Sequence, residues 1–165
     1  RDQPRSRGLG DVYKRQILMH ENEKDIYGDV LSRCVDLMQT LNSAHFKSAF
    51  DFANFVQCGE DTAKCWDALR PYVVYIHIKD AVSTDKENVL CGTGEGKIPE
   101  LLHKAIVEEG YTGFLTLEPH LVLFDSLQSL ETTDAKNIIR ENKYKNGAEG
   151  YAAQYHALCD ILAKF

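Results

Sequence analysis

Four apolar runs in this chain end on side chains that can hold a metal ion or move a proton. Ile17 to Glu21 ends on Glu21, Phe46 to Asp51 on Asp51, and Phe114 to Glu118 on Glu118; Val73 to Lys79 carries His77 at its tip. Three carboxylates and one imidazole are a hard, oxygen-rich donor set. It suits Mn²⁺, Mg²⁺ or Co²⁺ in octahedral or five-coordinate geometry, and Zn²⁺ less exclusively. Without a cation, carboxylates crowded into a desolvated mouth repel and raise one another's pKa. Taken singly, each residue has an ordinary reading: a Glu before Pro119 is a solvated strand end, Asp51 caps a turn, and a lone His is a satisfied core group. Four runs ending alike carry the argument. Glu23 and Asp80 compete for ligand places, and His120, two past Glu118, is placed to face the same cavity.

The elements that must position these groups alternate. The first strand, Ile17 to Glu21, leads through a polar loop to a helix whose apolar residues run from Val30 to Leu41, with Asp29 as its cap. The second strand, Phe46 to Asp51, is followed after a loop by a helix that starts at Asp61 or Thr62 and closes before Pro71. The third strand runs from Val73 to Lys79. A long loop from Asp80 to Lys97 holds Gly92, Gly94 and Gly96 and reads as a flexible turn, not a phosphate loop, because it follows its strand too distantly. Pro99 opens a helix that Gly110 ends, and Phe114 to Glu118 is the fourth strand. Residues 121–145 read as a mixed loop with a short helix around Phe124 to Leu130. The last helix runs from about Ala148 to Lys164, with Tyr151, Tyr155, Leu158, Ile161 and Leu162 on one side. Four strand-helix repeats predict an α/β protein with parallel strands and crossover helices. A flavodoxin-like open sheet fits the same order, but no Gly-rich turn follows the first strand to support a dinucleotide fold. Strand side chains alternate, so Glu21 shares a face with Met19 and opposes His20, while His77 shares its face with Tyr75 and Lys79.

Composition narrows the function classes. At 165 residues and a net charge of −6, the chain reads as one mildly acidic domain without a basic stripe, so nucleic acid is not an expected partner. No run approaches the ~20 apolar residues of a membrane span, and no membrane partner is expected. Five cysteines without CxxC spacing argue against a disulfide framework or structural zinc and for reduced, mostly buried thiols in a cytoplasmic protein. Residues 1–16 have no strand or helix period, and Asp11 to Gln16 reads like the translation of a transposon-end sequencing adapter. The expectation is a non-native or disordered leader at 1–16, joined to a gene fragment whose upstream part is missing.

The segments HENEKDIYGD (20–29), FDFANFVQCGEDT (50–62), YIHIKDA (75–81), GTGEGKIPELL (92–102) and GFLTLEPHL (113–121) resemble the sugar phosphate isomerase/epimerase family of xylose-isomerase-like (β/α)₈, or TIM, barrels. The motifs are specific together and weak singly. The resemblance covers Ile17 to the C-terminus and implies that residues 17–165 are the second half of a barrel, strands five to eight. It implies one divalent metal held by Glu21, Asp51, His77 and Glu118, with Glu21 and Glu118 as the proton-transferring pair. Asn54, Lys79 and His120 are candidates for substrate oxygens. The implied substrate is a ketose, sugar phosphate or related polyol, and the implied reaction is isomerisation or epimerisation through an enediolate.

Two positions depart from the family pattern. Asn54 stands where many relatives place a His, and Tyr27 where some epimerases carry a second carboxylate. An inosose-type dehydratase therefore remains an alternative. A barrel-fold apurinic DNA endonuclease is a weaker one, because it needs further His ligands and the acidity of this chain argues against DNA. A half barrel exposes two strand edges, so an inactive fragment and pairing with a second copy, a homo-oligomer, are further expectations.

Overall fold

The computed structural model describes residues 16–122 and 143–165. Strand β1 (Leu18–Glu21) is followed by helix α1 (Leu31–Leu41) and strand β2 (Phe46–Asp51). Helices α2 (Phe52–Gln57) and α3 (Thr62–Leu69) lead to β3 (Val73–Ile78). A small hairpin of β4 (Asp80–Ala81) and β5 (Asn88–Val89) precedes helix α4 (Ile98–His103), which runs on into a π-helical turn, Lys104–Glu108. Strand β6 (Phe114–Leu117) and helix α5 (Gly147–Leu162) complete the described elements.

The sheet has four parallel strands in the order β1-β2-β3-β6. Chain order and spatial order agree, as expected when each crossover helix returns the chain one place along the sheet. Leu18 pairs with Phe46, Asp51 with His77, and His77 with Thr116. Phe50, Ile76 and Ile78 on one face are fully buried against the helices, with Leu115 and Leu117 packed beside them. Phe50 is the hub: its ring meets Phe52 at 5.1 Å and Trp66 at 5.3 Å, both edge-on. Trp66 satisfies its indole N–H on Glu109, which also takes the Arg70 guanidinium at 2.7 Å. The opposite face carries Met19, Glu21, Ala49, Asp51, Tyr75, His77, Phe114 and Thr116 in adjacent registers. It is the face that a closed barrel turns inward.

Several sequence expectations change. Asp29 does not cap α1: Val30 is the N-cap, and Asp29 instead accepts the Val30 N–H and pairs with Arg33 one turn on. Helix α2 begins at the residue after β2, with no loop between; its apolar run continues the strand's, which hides the boundary. The Asp51 carboxylate caps it by accepting the Asn54 N–H at 2.7 Å. Asp61 caps α3 as expected. On α5 the buried positions are Gly150, Gln154, Leu158 and Ile161, whereas Tyr151 and Tyr155 are exposed. A polar residue on the inward stripe shifts the apparent apolar face by one position. The thiols are all free, with Cys34, Cys65 and Cys91 buried. The short helix expected near Phe124 to Leu130, and nearly all of the leader, lie outside the described residues.

Candidate metal centre

Each of the four strands delivers one group to the same end of the sheet. Ligand-competent atoms of Glu21, Asp51, His77 and Glu118 all lie within 4.8 Å of one another. His77 Nδ1 is the centre of the set. It lies 2.8 Å from Glu21 Oε1, 3.6 Å from Glu118 Oε1 and 3.9 Å from Asp51 Oδ2. The neighbour on β1, His20, points away and bonds the Gly28 carbonyl at 3.1 Å, as strand alternation requires.

Two anchors that sequence reasoning missed hold the set. Asn22, fully buried, donates from Nδ2 to the Asp51 carbonyl and accepts the Asp51 N–H on Oδ1, both at 2.9 Å. A side-chain amide thus supplies the ladder rung that β1 no longer provides. Asp80 is not a ligand. Its buried carboxylate accepts four backbone N–H bonds, from Gly92, Gly94, Gly96 and Ala81, at 2.9–3.0 Å. The Gly92 to Gly96 loop is therefore a cage and not a flexible turn. A Cβ on Gly94 would sit 2.5 Å from Asp80 Oδ1 and from the Ala81 carbonyl, so glycine there is a requirement of space. The glycine spacing was the available signal; the acceptor it encloses lies twelve residues or more upstream, which local pattern does not show.

The three residues expected to meet substrate sit differently. Lys79 is 4% exposed; its ammonium lies 3.0 Å from Asp51 Oδ2 and 3.3 Å from Glu118 Oε2. Asn54 is fully buried and directs Nδ2 to Glu21 Oε1 at 3.4 Å and Glu23 Oε2 at 3.3 Å, leaving Oδ1 without a partner. His120 is exposed, in the left-handed region at φ 41°, with Nε2 3.8 Å from Glu118 Oε2. Glu23 stays at the rim, its Oε1 accepting the Lys24 N–H.

The electrostatics bear on whether a cation fits. Burial pushes the Asp51 carboxyl up to about 6 despite Lys79 beside it. Burial works against the charged form of His77, but Glu21, Glu118 and Asp51 outweigh it and raise its pKa. Burial likewise opposes ionisation of Glu21, and His77 overrides it to lower the pKa. Three carboxylates against one lysine leave two negative charges, which one divalent ion cancels while His77 stays neutral. Asp51 Oδ2 is buried and meets the Lys79 ammonium at 3.0 Å as an ion pair, with no further hydrogen-bond donor on it. A buried carboxylate oxygen left in that state fits a metal ligand.

Comparison with known proteins bears on the fold. No family model matches the chain. No curated protein matches it either. Among solved structures, the chain superposes on the IolI protein with a binding zinc atom at TM-score 0.64 and 15% identity, over 95% of this chain and 53% of that one. A xylose isomerase domain protein from Planctomyces limnophilus matches at TM-score 0.63 and 19% identity, over 94% and 48% of the two chains. D-psicose 3-epimerase with D-tagatose, from Clostridium cellulolyticum H10, matches at TM-score 0.63 and 14% identity, over 88% and 48%. The chain has the fold of these xylose isomerase-like and sugar epimerase structures and spans about half their length. No helix among the described residues is long and apolar enough to cross a membrane.

Proposed function

We propose that this chain supplies strands five to eight of a xylose-isomerase-like barrel. Glu21, Asp51, His77 and Glu118 hold one divalent ion there for isomerisation or epimerisation of a ketose, sugar phosphate or related polyol. One observation carries the reading: four strand ends bring their ligand atoms within 4.8 Å. The zinc named for the IolI structure supports a metal in a site of this fold, and Mn²⁺ is the ion the oxygen-rich donor set favours.

When bound, the ion supplies Lewis acidity toward a carbonyl and its neighbouring hydroxyl, which makes the adjacent C–H acidic. The chain's own residues do the rest. Glu21 takes the proton from that carbon, and Glu118, which enters the step as the protonated member of the pair, delivers its own proton to the opposite face of the enediolate and leaves as the carboxylate. His77 lies 2.8 Å from Glu21 Oε1 and fixes its orientation. Lys79 holds Glu118 Oε2, which leaves Oε1 directed at the centre. Asn54, fully buried, steers Glu21 through its Nδ2 at 3.4 Å from Oε1, and His120 meets substrate oxygens from the rim. The substrate is a small sugar, with neither nucleic acid nor membrane as partner.

Titration calorimetry of the protein with Mn²⁺ tests the centre. One ion is expected to bind, and His77→Ala is expected to abolish binding. No binding, or binding unchanged by that substitution, sinks the reading. Turnover needs a site closed from water, so ketose turnover by this chain alone is expected to be negligible; rates typical of an intact enzyme would contradict the half-barrel assignment.

A further inference from the structure

Behind the tip of β3 lies a buried polar network that the proposed chemistry does not use. Gln154, from α5, is fully buried. Its Nε2 donates to the Ile78 carbonyl at 3.0 Å, and its Oε1 accepts the Cys91 N–H at 3.1 Å. The same Ile78 carbonyl accepts the Glu118 N–H at 3.2 Å. The next residue along the loop from Cys91 is Gly92, whose N–H binds Asp80 Oδ2. Residues 78 and 80 are thus anchored from outside the sheet, one through its carbonyl and one through its carboxylate. Lys79 lies between them and points the other way, its ammonium spanning Asp51 and Glu118.

We propose that Gln154 and Asp80 form a clamp on the strand tip, and that Gln154, on the C-terminal helix, is a positioning residue for the metal centre. Packing alone does not call for glutamine at this place. Leu158 and Ile161 fill the same inward stripe with apolar side chains, and a buried amide is favourable only if both its ends are satisfied. Here both are, and the two partners belong to the two segments that flank the site from behind. The clamp fixes the backbone on either side of Lys79. Through Ile78 it also fixes the last rung before Glu118. A ligand set held from behind in this way loses affinity when the support is removed, by about 10- to 100-fold in known metal sites.

The inference rests on the metal reading of the site, and one experiment separates the two. Mn²⁺ affinity and thermal midpoint are measured for the 165-residue chain and for Gln154→Met, Asp80→Asn and Leu158→Ala. Gln154→Met keeps the length of the side chain and removes both hydrogen bonds. Leu158→Ala loosens the same helix without touching the network. The expected result is a lower midpoint for all three variants, with Mn²⁺ affinity falling about 10-fold or more only in Gln154→Met and Asp80→Asn. Affinity unchanged in Gln154→Met overturns the proposal. So does an equal loss in Leu158→Ala, which reduces the effect to general loosening. If both clamp variants fail to fold while Leu158→Ala folds, the network is a folding element and the positioning role is refuted. An unaltered chain that binds no Mn²⁺ refutes the metal reading itself, and the clamp with it.

Discussion

The inner and outer strands of the sheet share a sequence pattern and have different surroundings. In β2 and β3, Phe50, Asp51, Ile76 and Ile78 are fully buried. In β1 and β6, Leu18 is 42% exposed, Met19 41% and Phe114 73%. An inner strand has a ladder on both sides and helices against one face. Each outer strand has a ladder on one side only among the described residues. The pattern of a strand therefore encodes the face it offers, and its place in the sheet decides whether that face is covered. The proposed metal ligands divide along the same line: Asp51 and His77 come from inner strands, Glu21 and Glu118 from outer ones.

The largest test of this contrast is a pair of truncations. Phe50→Ala, in the middle of the aromatic cluster, should cost about 3–5 kcal/mol, a large share of what a domain has. Phe114→Ala should stay within about 0.5 kcal/mol, like other surface changes. Urea denaturation of both variants checks this, and comparable losses would break the contrast.

A second effect follows from the buried carboxylate on the inner strand. The folded-state pKa of Asp51 lies at about 6, above its ordinary value of 3.8, because burial penalises the charge. A raised acid favours the fold while protonated. Metal-free stability should therefore fall as pH rises from about 4 to 6, by on the order of 3 kcal/mol from this group. His77, also raised, extends the fall above pH 6.5. Mn²⁺ should reverse the trend, since binding needs both groups deprotonated; its affinity should weaken steeply below about pH 6. Denaturation midpoints across pH, with and without Mn²⁺, measure both limbs. A metal-free protein that gains stability from pH 5 to 7 would contradict the assignment.

The smallest expected effect concerns the open edges. Exposed apolar edge strands template pairing with other chains. Concentration-dependent association is expected by light scattering, and Leu18→Lys should reduce it without shifting the denaturation midpoint by more than about 0.5 kcal/mol. A monomer at all concentrations would show that the edges are protected.

Much of this was legible in the chain. Strand period and polar tips located β1, β2, β3 and β6 to within a residue or so, and the convergence of Glu21, Asp51, His77 and Glu118 followed from parallel strands. What was not legible depended on long-range partners. Lys79 looked like a group for substrate, but two carboxylates from other strands occupy it. Asn22 and Gln154 carried no local signal, because an amide's value lies in backbone groups 29 and 76 positions away. Tyr151 and Tyr155 share a side with Leu158 and Ile161 by their apolar character, but the inward register of α5 runs through Gly150 and Gln154 and leaves both tyrosines exposed.

The separation of the four proposed ligands along the chain has a kinetic consequence. They are spread from position 21 to position 118, one per strand. No pair of neighbouring strands holds more than two of them, so the centre exists only after the last ladder closes. That ladder joins β3 to β6 across the longest intervening stretch in the sheet, Tyr75 to Phe114. Long loops close slowly. The appearance of tight Mn²⁺ binding during refolding should therefore lag the burial of Trp66, making the ion a clock for the final pairing step.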